Sequence, residues 1–175
     1  MNGKLYYHVQ TAEKGIQRFR LRVRGAPGHG SLPRDDNAIL KLAVLLVRLR
    51  QHRLPVHVTA TTRAYIEGLA AAQPQPLRGQ FLDLLDPAKC DEAIASLPIE
   101  VSLKRQLNAI LRNTVSPTIL HAGSQINVIP SSAEAHCDGR ILPGHTRESF
   151  LRELHDVFGD DAEIEFLTPE PSFGP

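Results

Sequence analysis

The sequence predicts an α+β domain: a ferredoxin-like βαββαβ four-stranded antiparallel sheet with two helices on one face and a helical insertion after the first helix. Three observations carry this. Phe19, Leu21 and Val23 alternate with Arg18, Arg20, Arg22 and Arg24, the period of two that marks a half-buried strand. Residues 36–52 carry apolar positions at helical spacing. From Thr114 the pattern returns to strand, strand, helix and strand. The chain has 175 residues, 42% hydrophobic and 22% charged, enough for one domain with a core.

The first strand runs from Ile16 to Gly25, and Pro27 with Gly28 and Gly30 ends it. A helix follows over 36–52, with Asp35 or Asp36 as cap and Pro55 just beyond its end. It is apolar nearly all round. Ile39, Leu42, Ala43 and Leu46 make one stripe, widened by Leu40, Val44 and Val47. A helix lying on a sheet buries one stripe, so either further core from the same chain or a second subunit covers the rest.

Residues 56–112 read as a helical insertion, its segments Thr62 to Ala72, Gln80 to Leu85, Asp91 to Leu97 and Ser102 to Arg112 separated by prolines. It is expected to cover something. Strands are expected at Thr114 to Ala122 and Ser132 to Leu142, the second led in by Asn127-Val128-Ile129-Pro130. Thr146 caps a helix to about Phe158, and Ala162 to Leu167 form the last strand. The predicted spatial order is fourth, first, third, second, which leaves 114–122 on an edge.

Lys+Arg 20 against Asp+Glu 19 gives a net charge of +1, which excludes a generally basic nucleic-acid binder. The arginine strand is expected to lie between acidic faces, Glu134 and Asp138 on one side, Glu163 and Glu165 on the other. Such cross-strand pairs contribute roughly 0.2–1 kcal/mol each. No run of 18 apolar residues and no signal-peptide pattern occurs, so a cytoplasmic protein without a membrane span is expected. Cys90 and Cys137 make neither a disulfide framework nor a zinc-finger spacing.

Among eight histidines, His52, His57, His145 and His155 read as surface or loop positions. His136 and Asp138 offer only two converging groups where a metal needs three or four. No metal ligands are therefore expected in this chain. His29 differs. Flanked by Gly28 and Gly30 between a strand end and a helix start, it sits where backbone can approach a ligand and an imidazole can donate to a developing oxyanion.

Gly28-His29-Gly30-Ser31, then Asp36-Asn37-Ala38, Asn127-Val128-Ile129-Pro130 and Asp138-Gly139-Arg140, occur in order on these elements. Together with Glu13-Lys14-Gly15 they resemble the lid, or dimerisation, domain of peptidase family M-twenty over about 10–58 and 112–168. That family includes aminoacylase, carboxypeptidase S, a glutamate-releasing carboxypeptidase and succinyl-diaminopimelate desuccinylase. The resemblance implies a dinuclear-zinc hydrolase that cleaves an amide next to a free carboxylate, in a small peptide or N-acyl amino acid. It implies that His29 stabilises the oxyanion, that Asn127 with Gly28 and Gly30 binds substrate, and that Arg140 takes the carboxylate.

The resemblance further implies that the two zinc ions belong to a catalytic domain absent from these residues, since no Glu-Glu dipeptide occurs. On that reading 1–15 is a hinge, 16–168 the lid and 169–175 a linker, and the excised lid is inactive alone. The expected partners are the catalytic domain and a second copy, engaged through helix 36–52 and edge strand 114–122. A stand-alone ferredoxin-like ligand-binding or regulatory module is the alternative. The predicted order puts Arg140 roughly 30 Å or more from Asn127. His29 and Asn127 then serve a partner's site while Arg140 serves its own.

Overall fold

The computed structural model describes residues 9–171 and 173. The expected hinge therefore lies outside the described residues over 1–8, and the expected linker does so at 172, 174 and 175. In chain order the elements are β1 (Gly15–Ile16), β2 (Phe19–Arg24), β3 (Gly28–His29) and α1 (Ala38–Gln51). Four insertion helices follow: α2 (Ala60–Ala71), α3 (Leu77–Asp83), α4 (Cys90–Ser96) and α5 (Val101–Ile110). The chain ends with β4 (Thr114–Ala122), β5 (Val128–Ile129), β6 (Ser132–Ile141), α6 (Arg147–Phe158) and β7 (Glu163–Phe166).

Strand β6 pairs antiparallel with β1 and β2 on one side and with β4 on the other, and β7 pairs antiparallel with β2. Across the main sheet the order is β7, β2, β6, β4, with β1 continuing the line of β2. Gly15 opposite Ile141 and Phe19 opposite Cys137 keep one register, so β1 and β2 are one strand whose ladder is interrupted at Gln17 and Arg18. Gln17 N still donates to Gly139 O at 2.8 Å.

Alternation along β2 and β6 sends Phe19, Leu21, Val23, Ala133, Ala135, Cys137 and Ile141 inward. Leu42 and Leu45 of α1 and Phe150, Leu154 and Phe158 of α6 complete this core. Phe19 stands edge-on to both Phe150 and Phe166 at 6.2 Å, a geometry that adds to the 1.5–3 kcal/mol or so that each buried large side chain contributes. The small residues of β6 leave room for the two helices.

The start of α1 corrects the expected cap. Neither Asp35 nor Asp36 caps it; Asn37 Oδ1 accepts from Ile39 N at 2.9 Å, while Asp36 pairs with Lys41. Thr146 caps α6 as its spacing predicts, in a capping box closed by Ser149.

The insertion is helical but does not cover α1. It closes on a core of its own built from Ile66, Phe81, Leu84, Leu97, Leu107 and Leu111. Its neck is tied by the bridge between Val56 and Arg112, whose guanidinium donates to Leu54 O at 2.8 Å and to Asp91 at 2.7 Å. Ile39, Leu40, Val44 and Val47 consequently stay 44–57% exposed. Strand β4 forms an edge, with Ile119 and Leu120 open to solvent.

Gly139 is the tightest point of the sheet. A Cβ there would stand 2.2 Å from Gln17 O and 2.9 Å from the Phe150 ring. Gly139→Ala should therefore lower stability by about 1–3 kcal/mol, read as a reduced urea midpoint with unchanged slope.

Candidate functional site

His29 sits at the exposed end of the strand that leads out of β2. The short strand of Gly28 and His29 pairs antiparallel with Ile129 and Val128, a two-stranded ladder that the sequence pattern does not reveal. Gly30 N donates to Asn127 O at 2.8 Å. Gly30 packs close to Asn127, where a Cβ would meet the Asn127 backbone at 3.4–3.5 Å. His29, Asn127, Gly28 and Gly30 are thus brought to one place, 98 positions separating the first two in the chain.

The loop also sets the chemistry of the ring. Ser31 N donates to His29 Nδ1 at 3.2 Å, and Ser31 Oγ lies 2.8 Å from the same nitrogen. A backbone N–H can only donate, so Nδ1 is the acceptor and the proton of the neutral imidazole resides on Nε2. His29 therefore offers an N–H outward.

Arg140 lies elsewhere. It pairs with Ile16, at the opposite end of β6 from Ser132, which pairs with Arg24. Eight residues of strand separate Arg140 from Ser132, about 26 Å, and His29 lies beyond that. The structure does not bring Arg140 together with His29 and Asn127. Its guanidinium is held by Asp138, with Nε at 3.1 and 3.3 Å and a terminal nitrogen at 3.2 Å. Arg18 lies 3.7 Å from the same carboxylate.

Lys14, beside Arg140, is a residue whose importance the sequence alone does not show. It donates to Thr114 Oγ1 at 3.2 Å. Burial, then the Arg140 charge, bring its ammonium down to about 8, with Glu153 opposing. Lys14, Arg18 and Arg140 line one groove with Glu13, Thr168 and Glu170.

The open face of the sheet is charge-compensated. Arg20 pairs with Glu165, Arg22 with Glu134 at 3.0 Å and Arg24 with Glu163 at 2.6 Å. The Arg24 hydrogen bond holds the Glu163 carboxyl below the usual carboxylate range. His136 turns to Glu134 at 3.4 Å and Asp138 to Arg140, so these two do not converge on a common point.

A second cluster forms at the neck of the insertion. His57 Nε2 lies 2.7 Å from Glu153 Oε1, and the His57 and His145 rings meet edge-on at 4.2 Å. Asn113 Oδ1 accepts from Leu142 N at 2.8 Å, which turns its amide nitrogen to Glu153 Oε1 at 2.9 Å and to His145 Nδ1 at 3.3 Å. Burial, then His57, hold the His145 imidazolium below the usual histidine range, against Glu153. His57 and His145 are therefore not the separate surface positions that their sequence surroundings suggest. Separations of 88 and 96 residues from His57 left no local signal.

Residues 11–165 match the family model described as the peptidase dimerisation domain (M20_dimer), and the chain belongs to that family. It is 30% identical over 154 residues to the human N-fatty-acyl-amino acid synthase/hydrolase PM20D1, covering 87% of this chain and 30% of that protein. It is 31% identical over 153 residues to the probable carboxypeptidase S-like 2 of Dictyostelium discoideum, covering 87% of this chain and 28% of that protein. The chain thus spans under a third of the length of either relative. The fold is similar to that of human carnosine dipeptidase 1, with a TM-score of 0.53 and 15% identity over 93% of this chain and 37% of that one.

Lys14 has a measurable signature. Its folded-state value of about 8 lies below the ordinary lysine value of 10.5. Between these values the unfolded chain binds more protons than the folded one, so stability from this group rises as pH rises through the window. Lys14→Met should lack that rise. The difference between wild-type and variant urea midpoints, followed from pH 7 to 11, checks it, since groups common to both chains cancel.

Proposed function

We propose that this chain is the dimerisation and substrate-capping domain of a zinc-dependent metallopeptidase or amidohydrolase that cleaves an amide next to a free carboxylate. The substrate class is a small peptide or N-acyl amino acid. The family membership and the names of the similar proteins, a carboxypeptidase S-like protein and an N-fatty-acyl-amino acid synthase/hydrolase, support this reading.

The residues present do not fit the catalytic metal pair: the chain has no Glu-Glu dipeptide, and Asp138 is occupied by Arg140 and Arg18. That site belongs to a catalytic domain beyond these residues, and the 175-residue chain alone is inactive. What the chain contributes is a donor, an orienting amide and a guanidinium. The observation that carries the reading is the Ser31 N–H on His29 Nδ1, which directs an Nε2–H outward from a glycine-flanked loop. An amide carbonyl gains negative charge on oxygen as it is attacked, and a preset donor stabilises that charge without reorganising. Asn127, fixed beside it, orients the substrate. Arg140 receives the carboxylate by exchanging its Asp138 partner.

One substrate cannot span about 26 Å of strand to reach both groups in one subunit. A two-fold dimer resolves this, His29 and Asn127 reaching the site of the partner while Arg140 serves its own. The exposed apolar face of α1 and the edge of β4, unpaired among the described residues, supply the contact, by helix packing and by continuation of the sheet.

Mixed dimers of the full-length protein test the sharing of sites. The His29→Ala homodimer should lose about 10²–10³ in kcat, and the Arg140→Ala homodimer should lose kcat/KM through a raised KM. A heterodimer with one subunit of each kind should recover about half of wild-type activity, since one of two sites is then intact. An inactive heterodimer contradicts the exchange.

A further inference from the structure

We propose that His57, His145 and Glu153 form a binding site for a borderline divalent transition-metal ion such as Zn²⁺, at the neck of the insertion. The donors come from three different places. His57 lies on the segment entering α2, His145 in the turn between β6 and α6, and Glu153 on the second turn of α6. One ring nitrogen from each histidine and one carboxylate oxygen all lie within 4.8 Å of one another. Two imidazoles and a carboxylate are a ligand set that zinc takes at about 2.0–2.2 Å, with a fourth position for water.

The buried carboxylate points to a cation independently of that convergence. Glu153 is 7% exposed, and its Oε2 is buried with no hydrogen-bond partner among the described residues. Leaving a buried carboxylate oxygen unsatisfied is unfavourable, and a bound cation would satisfy it. The nearby cation Lys14 is turned instead to Thr114. Asn113, held by Leu142 N, donates to Glu153 Oε1 and so fixes the carboxylate; its longer contact of 3.3 Å to His145 Nδ1 gives way when the ion takes that nitrogen.

The ion takes His57 through a deprotonated ring nitrogen and Glu153 through its carboxylate, Oε2 included. The ring keeps one proton on its other nitrogen, so a neutral imidazole and a carboxylate face the ion, and any second ring proton leaves to solvent. The groove that holds these side chains is open and also lined by Arg152, His155 and Asp156, so solvent reaches the fourth position. The bound ion ties the neck of the insertion to the β6–α6 corner of the main sheet. Its role is to hold the insertion in place.

The test uses the 175-residue chain, purified without a histidine tag and stripped with chelator, and titrated with Co²⁺. We expect saturation at one equivalent with visible d–d absorption of a four-coordinate site, displaced by Zn²⁺, and a Zn²⁺-dependent rise in Tm. His145→Ala and Glu153→Gln should weaken Co²⁺ binding about 100-fold or more and abolish the Tm rise. His52→Ala, an exposed histidine, should leave both unchanged. Absence of saturable uptake by the wild-type chain overturns the site, as does uptake that survives His57→Ala/His145→Ala. If a variant fails to fold, the histidine ring signals of the wild-type chain decide. Zn²⁺ must shift two of them at one equivalent, and these must be the two that His57→Ala and His145→Ala remove.

Discussion

The structure depends on the pairing of β6 along both of its edges. It lies antiparallel to the β1–β2 strand on one side and to β4 on the other. Its inward positions are Ala133, Ala135, Cys137, Gly139 and Ile141, mostly small, so two helices carrying Leu42, Leu45, Phe150 and Phe158 can lie close to it. Its outward positions, Glu134 and Asp138 among them, meet the arginines of the neighbouring strand. A slip of one residue would put the arginines into the core and the phenylalanine into water, so the register is strongly fixed.

That register also sets the functional geometry. The strand is long enough that what happens at Ser132 and what happens at Arg140 are separate events. His29, Asn127 and their glycines gather just past one end, and Arg140, Asp138 and Lys14 at the other. The insertion satisfies its own apolar residues and leaves α1 with four exposed aliphatic side chains, while β4 keeps an edge unpaired among the described residues. Exposed apolar side chains and open backbone hydrogen-bonding groups both invite a second copy.

Much of the fold was legible because its elements are long and periodic. The alternation in Phe19–Arg24 and the spacing of Phe150, Leu154 and Val157 marked a strand and a helix directly. At the start of α1, Asp35, Asp36 and Asn37 are all good capping residues, and only the turn of the backbone selects Asn37. The ladder of Gly28–His29 with Val128–Ile129 is two residues long, too short to show a period. The glycine loop singled out His29, but its tautomer rests on Ser31 N, a backbone group that no sequence pattern displays. Arg140 stands out only through the resemblance, and nothing in the residue pattern shows its pairing with Asp138 two positions back. The neck cluster was invisible because tertiary folding alone brings His57 to His145 and Glu153.

We propose that two copies meet at the face the insertion leaves open, where Ile39, Leu40, Val44 and Val47 are exposed. Light scattering behind size-exclusion chromatography, over a dilution series, tests this contact. A mass twice that of the 175-residue chain is expected at micromolar concentration, and a single-chain mass for the folded Leu40→Lys/Val47→Lys variant. A wild-type chain that remains single at every concentration would contradict it.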